Sequence, residues 1–278
     1  MIDDSLLGPG MQRGFSLWRK HIAELLALRG DAATVVSFPK SGRTWHRALL
    51  SHYISTHFLK VEPRSIDTAR LTRQAGLGQV SYTHDGANFL SAIGPAHRFN
   101  ADPFIWRRRK VLLLVRDPRD VLVSAYAHAK TRSNAFTGTL SQFVRHPFTG
   151  IAKILWAQRR WHSYVPRVPA VLVLHYEAIH EDPAAALTET LKFLGIPAVA
   201  EAVTASAQFA HFENLKKLES DGYFASGALR IKAADPDAMK VRVGKVGGYS
   251  SVLSGEDIAF IGEAVARIGD PLGSMRAG

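Results

Sequence analysis

The sequence predicts an α/β fold, a single domain with a central, mostly parallel sheet flanked by helices and containing a P-loop-like strand-loop-helix. Three observations predict it. Short apolar runs of strand length alternate along the chain with longer stretches of helical spacing. The polar and basic residues best suited to chemistry fall just after those runs, where open parallel sheets hold their ligands. The 278 residues are 46% hydrophobic, enough for one large core, so one domain is assigned to residues 1–278.

Each element has its own signal. Residues 15–29 place Leu17, Ile22, Leu25, Leu26 and Leu28 near helical spacing among basic side chains, and Gly30 ends the run. This predicts an amphipathic helix within residues 1–30 that packs on its own domain. Residues 33–38 read as the first buried strand and 44–58 as the helix after its loop. Residues 79–83 form a weaker strand candidate that ends at His84. Residues 110–115 are a strong one, leading through Arg116-Asp117-Pro118-Arg119-Asp120 into a helix over 121–130. Residues 170–175 are another, followed by a helix over 183–194 that Gly195 closes. Residues 220–242, rich in Gly, Ala, Asp and Lys, read as a long mobile loop.

Charge and composition narrow the function. Lys and Arg number 35 against 24 Asp and Glu, a formal charge of +11, so the surface attracts anions. No cysteine is present, which removes disulfides, thiolate nucleophiles and cysteine-based metal sites. The first ten residues carry two acids and do not resemble a secretory signal, and no apolar run reaches transmembrane length. These features predict a cytoplasmic protein.

Three motifs carry the chemistry. In the first, Val35 to Trp45, a strand breaks at Pro39 into Lys40-Ser41-Gly42-Arg43-Thr44 and then a helix. Such a loop aims backbone N–H groups and the helix dipole at an anion, and Lys40 and Arg43 add full charges. It lacks the Gly-x-x-x-x-Gly-Lys-Ser/Thr spacing of nucleotide triphosphatases, which disfavours an ordinary kinase or ATPase. In the second, Val115 to Ser124, Arg116 ends a strand and Ser124 lies on the next helix, so both converge on one phosphate if the turn folds back. Asp117 caps that turn, Pro118 suits the first helical turn, and Asp120 faces the helix N-terminus favourably. In the third, Val241 to Tyr249, three glycines let the backbone approach an anion closely while the two cations Arg242 and Lys245 reach it. Alone, the second motif also reads as a salt-bridged helix start and the third as a flexible basic loop.

Together with Tyr176-Glu177 followed by Asp182-Pro183 and Phe193-Leu194-Gly195, these motifs occur in one order. The chain resembles the soluble, cytosolic-type sulfotransferases that use 3′-phosphoadenosine 5′-phosphosulfate (PAPS), in a bacterial-like form, over roughly residues 35–262. The resemblance implies a PAPS-dependent sulfotransferase that releases 3′-phosphoadenosine 5′-phosphate (PAP) and needs no metal. By similarity, Lys40, Ser41, Gly42, Arg43 and Thr44 hold the 5′-phosphate and sulfonate end, and Trp45 stacks on adenine. Arg116 and Ser124 match ligands of the 3′-phosphate, Tyr176 the tyrosine near adenine, and Phe212 a second aromatic there. Arg242 with the Gly244 backbone matches the C-terminal grip on the 3′-phosphate.

The same resemblance makes His84 the general base, since the family places a histidine after a strand in this part of the chain. Imidazole suits that role, because its ordinary pKa of about 6.5 leaves the neutral ring available at physiological pH. In the implied mechanism an acceptor oxygen attacks sulfur in line, His84 takes its proton and Lys40 stabilises the departing oxygen. Asp85 is expected to cap the following turn.

Three departures stand out. Tyr82 occupies the position where many eukaryotic members have a lysine, Arg43 replaces a threonine and is a candidate to supply the missing charge, and the usual Arg-Lys-Gly is Arg242-Val243-Gly244, followed by Tyr249 in place of tryptophan. The acceptor is expected to be a hydroxylated small molecule ahead of a glycan or a lipid-linked alcohol, in an apolar pocket built from residues 89–104, 136–149 and 220–239. Members of the family form dimers, which extends the expectation to a homodimer, although no clear match to their C-terminal dimer motif is found. A non-catalytic protein of the same fold, binding a nucleotide or sulfated polymer, is the alternative. No nucleic-acid partner is expected, because the basic run Trp106 to Lys110 reads as a solvated edge flanking the next strand.

Overall fold

A computed structural model gives the fold and describes residues 4–9, 23, 24, 26–89, 106–131, 133–225, 229 and 245–275. Its centre is a four-stranded sheet of β1 (Ala33–Ser37), β2 (Val80–Thr83), β3 (Lys110–Val115) and β4 (Ala170–His175), in the order β2-β1-β3-β4. All three pairings are parallel: Ala33 lies opposite Val80 and Lys110, and Lys110 opposite Ala170. Their carboxyl ends therefore share one edge of the sheet, and the first two motif loops begin there, after β1 and β3.

Side chains alternate across the strands and build a core on each face. Val35, Leu112, Leu114 and Leu174 pack on one face with Leu49, Leu50, Leu187 and Leu191. These come from α1 (Arg43–Tyr53) and α7 (Pro183–Leu194). Val36, Val111 and Leu113 point the other way, onto Trp106, Trp161 and Tyr164. Burial on both faces explains why β3, from Val111 to Val115, reads as an unbroken apolar run. A third cluster lies among α3 (Pro118–Thr131), α4 (Leu140–Arg145), α5 (Ile151–Tyr164) and α10 (Gly255–Ile268), around Leu122, Phe143, Ile154 and Ile261. The remaining helices are α2 (Thr68–Gln74), α6 (Tyr176–Glu181), α8 (Ala200–Phe209) and α9 (Phe212–Ser220).

Several expectations change. The helix after the first loop begins at Arg43 and runs to Tyr53, where it passes into a π-helical stretch over Ile54–Phe58. The helix after β3 begins at Pro118, one turn earlier than the apolar spacing indicates. Residues 136–149 do not wall a ligand pocket: Phe136, Phe143 and Val144 are buried in the third core cluster. The basic run before β3 is only partly solvated, since Trp106 is fully buried and Arg109 is buried with its guanidinium over the Trp106 ring. Of the N-terminal helix, residues 23, 24, 26 and 27 are helical and Leu28–Gly30 forms a 3-10 turn, while 10–22 and 25 lie outside the described residues. The 220–242 loop lies outside them after Ala225, except for Leu229, and so do Arg242 and Gly244.

Candidate active site

At the carboxyl edge of the sheet a cavity of about 610 Å³ opens. Its wall gathers Lys40, Gly42, Arg43, Thr44, Trp45, His84, Arg116, Ser124, Tyr176 and Phe212, ten of the thirteen residues singled out from the sequence. Of the other three, Arg242 and Gly244 lie outside the described residues. Ser41 is buried beneath the loop and faces a small void that His84 also borders.

The loop after β1 is shaped by left-handed backbone at two positions. Lys40 has φ +74° and Gly42 φ +86°, conformations that let Ser41 N–H reach back to the Phe38 carbonyl at 3.3 Å. A side chain at Gly42 is excluded twice over, because its Cβ would lie 2.6 Å from Tyr176 Cδ2. Gly42 then serves as the N-cap of α1 without a side-chain hydrogen bond, and no acid occupies the first turn. By contrast Asp182 caps α7 at Ala185 N–H and Ser254 caps α10 at Asp257 N–H. The amino end of α1 thus presents N–H groups and a positive dipole to the cavity.

Arg116, at the end of β3, ties the motifs together. It donates to the carbonyls of Lys40 at 3.3 Å and Lys245 at 3.1 Å, and faces Asp120 at 3.4 Å. Asp120 in turn accepts from Gly247 N–H at 2.9 Å and Tyr249 N–H at 3.0 Å, so the C-terminal glycine turn is docked on the start of α3. The sequence offers Asp120 only to the helix dipole, because these tertiary partners are far along the chain. Asp117 accepts from Arg119 N–H at 2.9 Å and pairs with the Arg119 guanidinium at 2.6 Å, capping the turn as expected. Arg119 also lies 4.1 Å over the Tyr249 ring.

An aromatic slot adjoins Arg116. Trp45 Nε1 donates to the Ala210 carbonyl at 2.7 Å, fixing an indole that meets Tyr176 edge-on at 5.6 Å, and Phe212 opens α9 on the same wall. Tyr176 is itself buried, and that burial raises its phenol pKa. It is a strand-end core aromatic and a cavity residue at once.

On the β2 side, His84 Nδ1 lies 2.8 Å from the Ser37 carbonyl. A carbonyl accepts only, so Nδ1 carries the hydrogen and the lone pair of the neutral ring is on Nε2. Tyr82 turns away into the space under α1: its hydroxyl lies 2.8 Å from His46 Nδ1, and Arg47 covers its ring at 5.0 Å. Arg43 shares this corner. Burial and the neighbouring Arg47 lower its pKa to about 10, with Glu24 and Tyr82 pulling more weakly the other way. A guanidinium held this way favours a bound anion.

Beyond His84 the wall is Asn88, Phe89, Val123, His128, Ser251 and Val252. Asp120 and His128 are the titratable members of the cavity wall that the sequence did not assign to a ligand, while Lys245 of the third motif stands on the wall as an anion-binding cation should. His128 follows Ser124 by one helical turn, a spacing that could have found it. Asp85 does not simply cap a turn: it is buried and paired with Arg160 of α5 at 2.6 Å.

The cavity suits a nucleotide that is anionic at both ends. It offers a side-chain-free helix terminus with Lys40 and Arg43 at one end, Arg116 and Lys245 at the other, and an aromatic slot beside them. Among the described residues no cluster of acids and histidines is placed to hold a metal, and no helix is long and apolar enough to cross a membrane.

Comparison with known proteins gives the family and the fold. The family model described as "Sulfotransferase domain" matches residues 31–267. Rat sulfotransferase 2A2 is 24% identical over 70% of this chain and 70% of its own. Cytosolic sulfotransferase 14 of Arabidopsis thaliana is 28% identical over 73% of this chain, which spans 65% of that relative's length. Among solved structures, mouse sulfotransferase SULT7A1 complexed with PAP aligns with a TM-score of 0.55 at 18% identity, covering 88% of each chain. Retinol dehydratase in a complex with retinol and PAP aligns at 0.58 and 16% identity, covering 94% of this chain and 88% of that one.

Proposed function

Because the chain belongs to the sulfotransferase domain family, we propose that it transfers the sulfonate of PAPS to a hydroxyl of a small acceptor, with His84 as general base and no metal. The observation that carries the reading is the convergence of Lys40, His84, Arg116, Ser124 and Tyr176 on one cavity. A binding protein would need the cations but not a histidine whose lone pair is fixed on Nε2.

PAPS supplies an activated sulfonate on a phosphate leaving group. The cavity's residues supply the rest. The N–H groups of α1 with Thr44 and Lys40 hold the 5′-phosphate end, the buried Ser41 supporting the loop from below, Arg43 faces the sulfonate, and Arg116, Ser124, Arg242 and Gly244 grip the 3′-phosphate. Trp45, Tyr176 and Phe212 form the adenine slot. His84 Nε2 removes the acceptor proton as the acceptor oxygen bonds to sulfur. Lys40 neutralises the charge that collects on the bridging oxygen as its bond to sulfur breaks. Positioning and fixed charge carry much of the rate, as in related phosphoryl transfers.

The acceptor end, with Phe89, Val123 and Val252 around the polar Asn88 and His128, favours an apolar alcohol or phenol. Retinol and androsterone appear with the related retinol dehydratase, acceptor-sized apolar alcohols of the same kind. A cytoplasmic location is part of the same proposal. The decisive experiment incubates the protein with PAPS and a panel of phenols, alkyl alcohols and sugars and reads products by mass spectrometry. Sulfated product that disappears in His84→Ala is expected, whereas PAP binding with no product from any acceptor would favour the binding-protein alternative.

A further inference from the structure

The residue after the base is buried, charged and held in left-handed backbone. Asp85 has φ +45°, is fully excluded from solvent, and sits between His84 and the cavity residue Asn88. A non-glycine residue persists in this conformation only where its surroundings hold it. Here the surroundings include two basic side chains on one face of α5.

Arg160 is buried, donates to the Asp85 carboxylate at 2.6 Å and also bonds the Asp85 backbone carbonyl. Lys153, seven residues earlier and fully buried, donates through Nζ to the Asn88 carbonyl at 2.6 Å. From the strand side, Asp85 N–H donates to Thr83 Oγ1 at 2.8 Å, and Thr83 Oγ1 donates to Glu24 at 2.6 Å. Between these two anchors the chain turns, with Ala87 N–H on the His84 carbonyl at 2.9 Å. Burial raises the Asp85 pKa and lowers that of Lys153 well below its ordinary value, so both charges are costly where they are. A buried ion pair is weak evidence for stability, so the geometry it imposes on the turn is the more informative feature.

We propose that Arg160, with Lys153, is a positioning pair that sets the turn His84-Asp85-Gly86-Ala87-Asn88, holding the His84 ring on the Ser37 carbonyl and Asn88 in the acceptor wall. Neither side chain lines the cavity, and neither is assigned any contact with donor or acceptor. The clamp acts on the base side of the site and leaves the donor loops of β1 and β3 alone. The inference rests on His84 being the base.

The test measures kcat, acceptor KM and the PAP dissociation constant in Arg160→Gln, alone and combined with His84→Ala. The expected result is a fall in kcat of about 10- to 100-fold, PAP affinity within twofold of the original, and no further loss when Arg160→Gln is added to His84→Ala. A merely structural role would lower PAP affinity along with kcat, or multiply the two losses, and either result overturns the proposal, as does an unchanged kcat. Asp85→Asn, which keeps the size of the side chain and tolerates left-handed backbone, is read by the same criteria if Arg160→Gln does not fold. Loss of turnover in His84→Ala but not in Arg160→Gln overturns the clamp alone. Turnover that survives His84→Ala overturns the base assignment beneath it.

Discussion

The Arg116 guanidinium lies 4.0 Å from the centroid of the Tyr176 ring, a cation stacked on an aromatic face at the point where β3 and β4 both end. The stack holds the guanidinium so that its fork reaches the Lys40 and Lys245 carbonyls, and one side chain thereby joins the first and last motifs. Lysine carries the charge but neither the fork nor the flat face. Arg116→Lys should weaken PAP binding by about 1.5–3 kcal/mol, the range for hydrogen bonds to charged groups. Calorimetric titration should also show the preference for PAP over AMP, which lacks the 3′-phosphate, shrinking in this variant. A preference that stays intact would remove Arg116 from the 3′-phosphate.

Gly42→Ala introduces a methyl group 2.6 Å from Tyr176 Cδ2 at φ +86°. Strain of this kind costs about 1–3 kcal/mol. Gly76→Ala is the control, since Gly76 is also left-handed at φ +71° but has open space around its Cβ. Both variants should melt earlier, and only Gly42→Ala should lose PAP affinity.

Lys40→Ala should lower kcat far more than it changes acceptor KM, by roughly 10²- to 10³-fold if its effect matches the loss of an oxyanion donor. Steady-state kinetics at saturating donor check this. An unchanged kcat would take Lys40 out of the chemistry.

Arg43 should distinguish PAPS from PAP. If its desolvated guanidinium faces the sulfonate, Arg43→Gln will weaken PAPS about tenfold more than PAP, an energy of about 1.4 kcal/mol. Equal losses would place its contact on the phosphate instead.

Stability should fall in mild acid. His46 and His52 are held by burial at a pKa of about 4, against about 6.5 in the unfolded chain. Between those values the unfolded state binds more protons. The stabilisation from the two neutral rings is complete above about pH 6.5 and is lost as pH falls towards 4, by up to about 1.4 kcal/mol per pH unit for each histidine. Urea unfolding at pH 7.5, 6 and 5 measures the slope, and His52→Gln, which does not titrate, should make it shallower.

The strands of the sheet are legible in the sequence because burial on both faces leaves a run such as Val111 to Val115 with almost no polar positions. The site is legible for a related reason: in a parallel sheet every strand ends at the same edge, so residues such as Lys40, His84 and Arg116 meet although far apart in the chain. What stays hidden depends on tertiary partners. Lys153 and Arg160 lie in a stretch the sequence reading assigns to no element, and only the packing of α5 against the turn after β2 shows them to be inside. Phe136 and Phe143 read as a pocket lining, but they meet each other edge-on at 5.1 Å in a core. Ser41 lies within the motif, yet left-handed backbone on either side of it turns its side chain away from the cavity.

The order β2-β1-β3-β4 puts the base on the rim of the sheet and the nucleotide grip at its middle. The two halves of the reaction therefore belong to different physical neighbourhoods. The acceptor wall at Asn88 and Phe89 can be changed with His84 kept, while β1 and β3, whose loops hold the donor, keep their pairing with each other. A chain laid out in this way can be given new customers at its margin without rebuilding its centre.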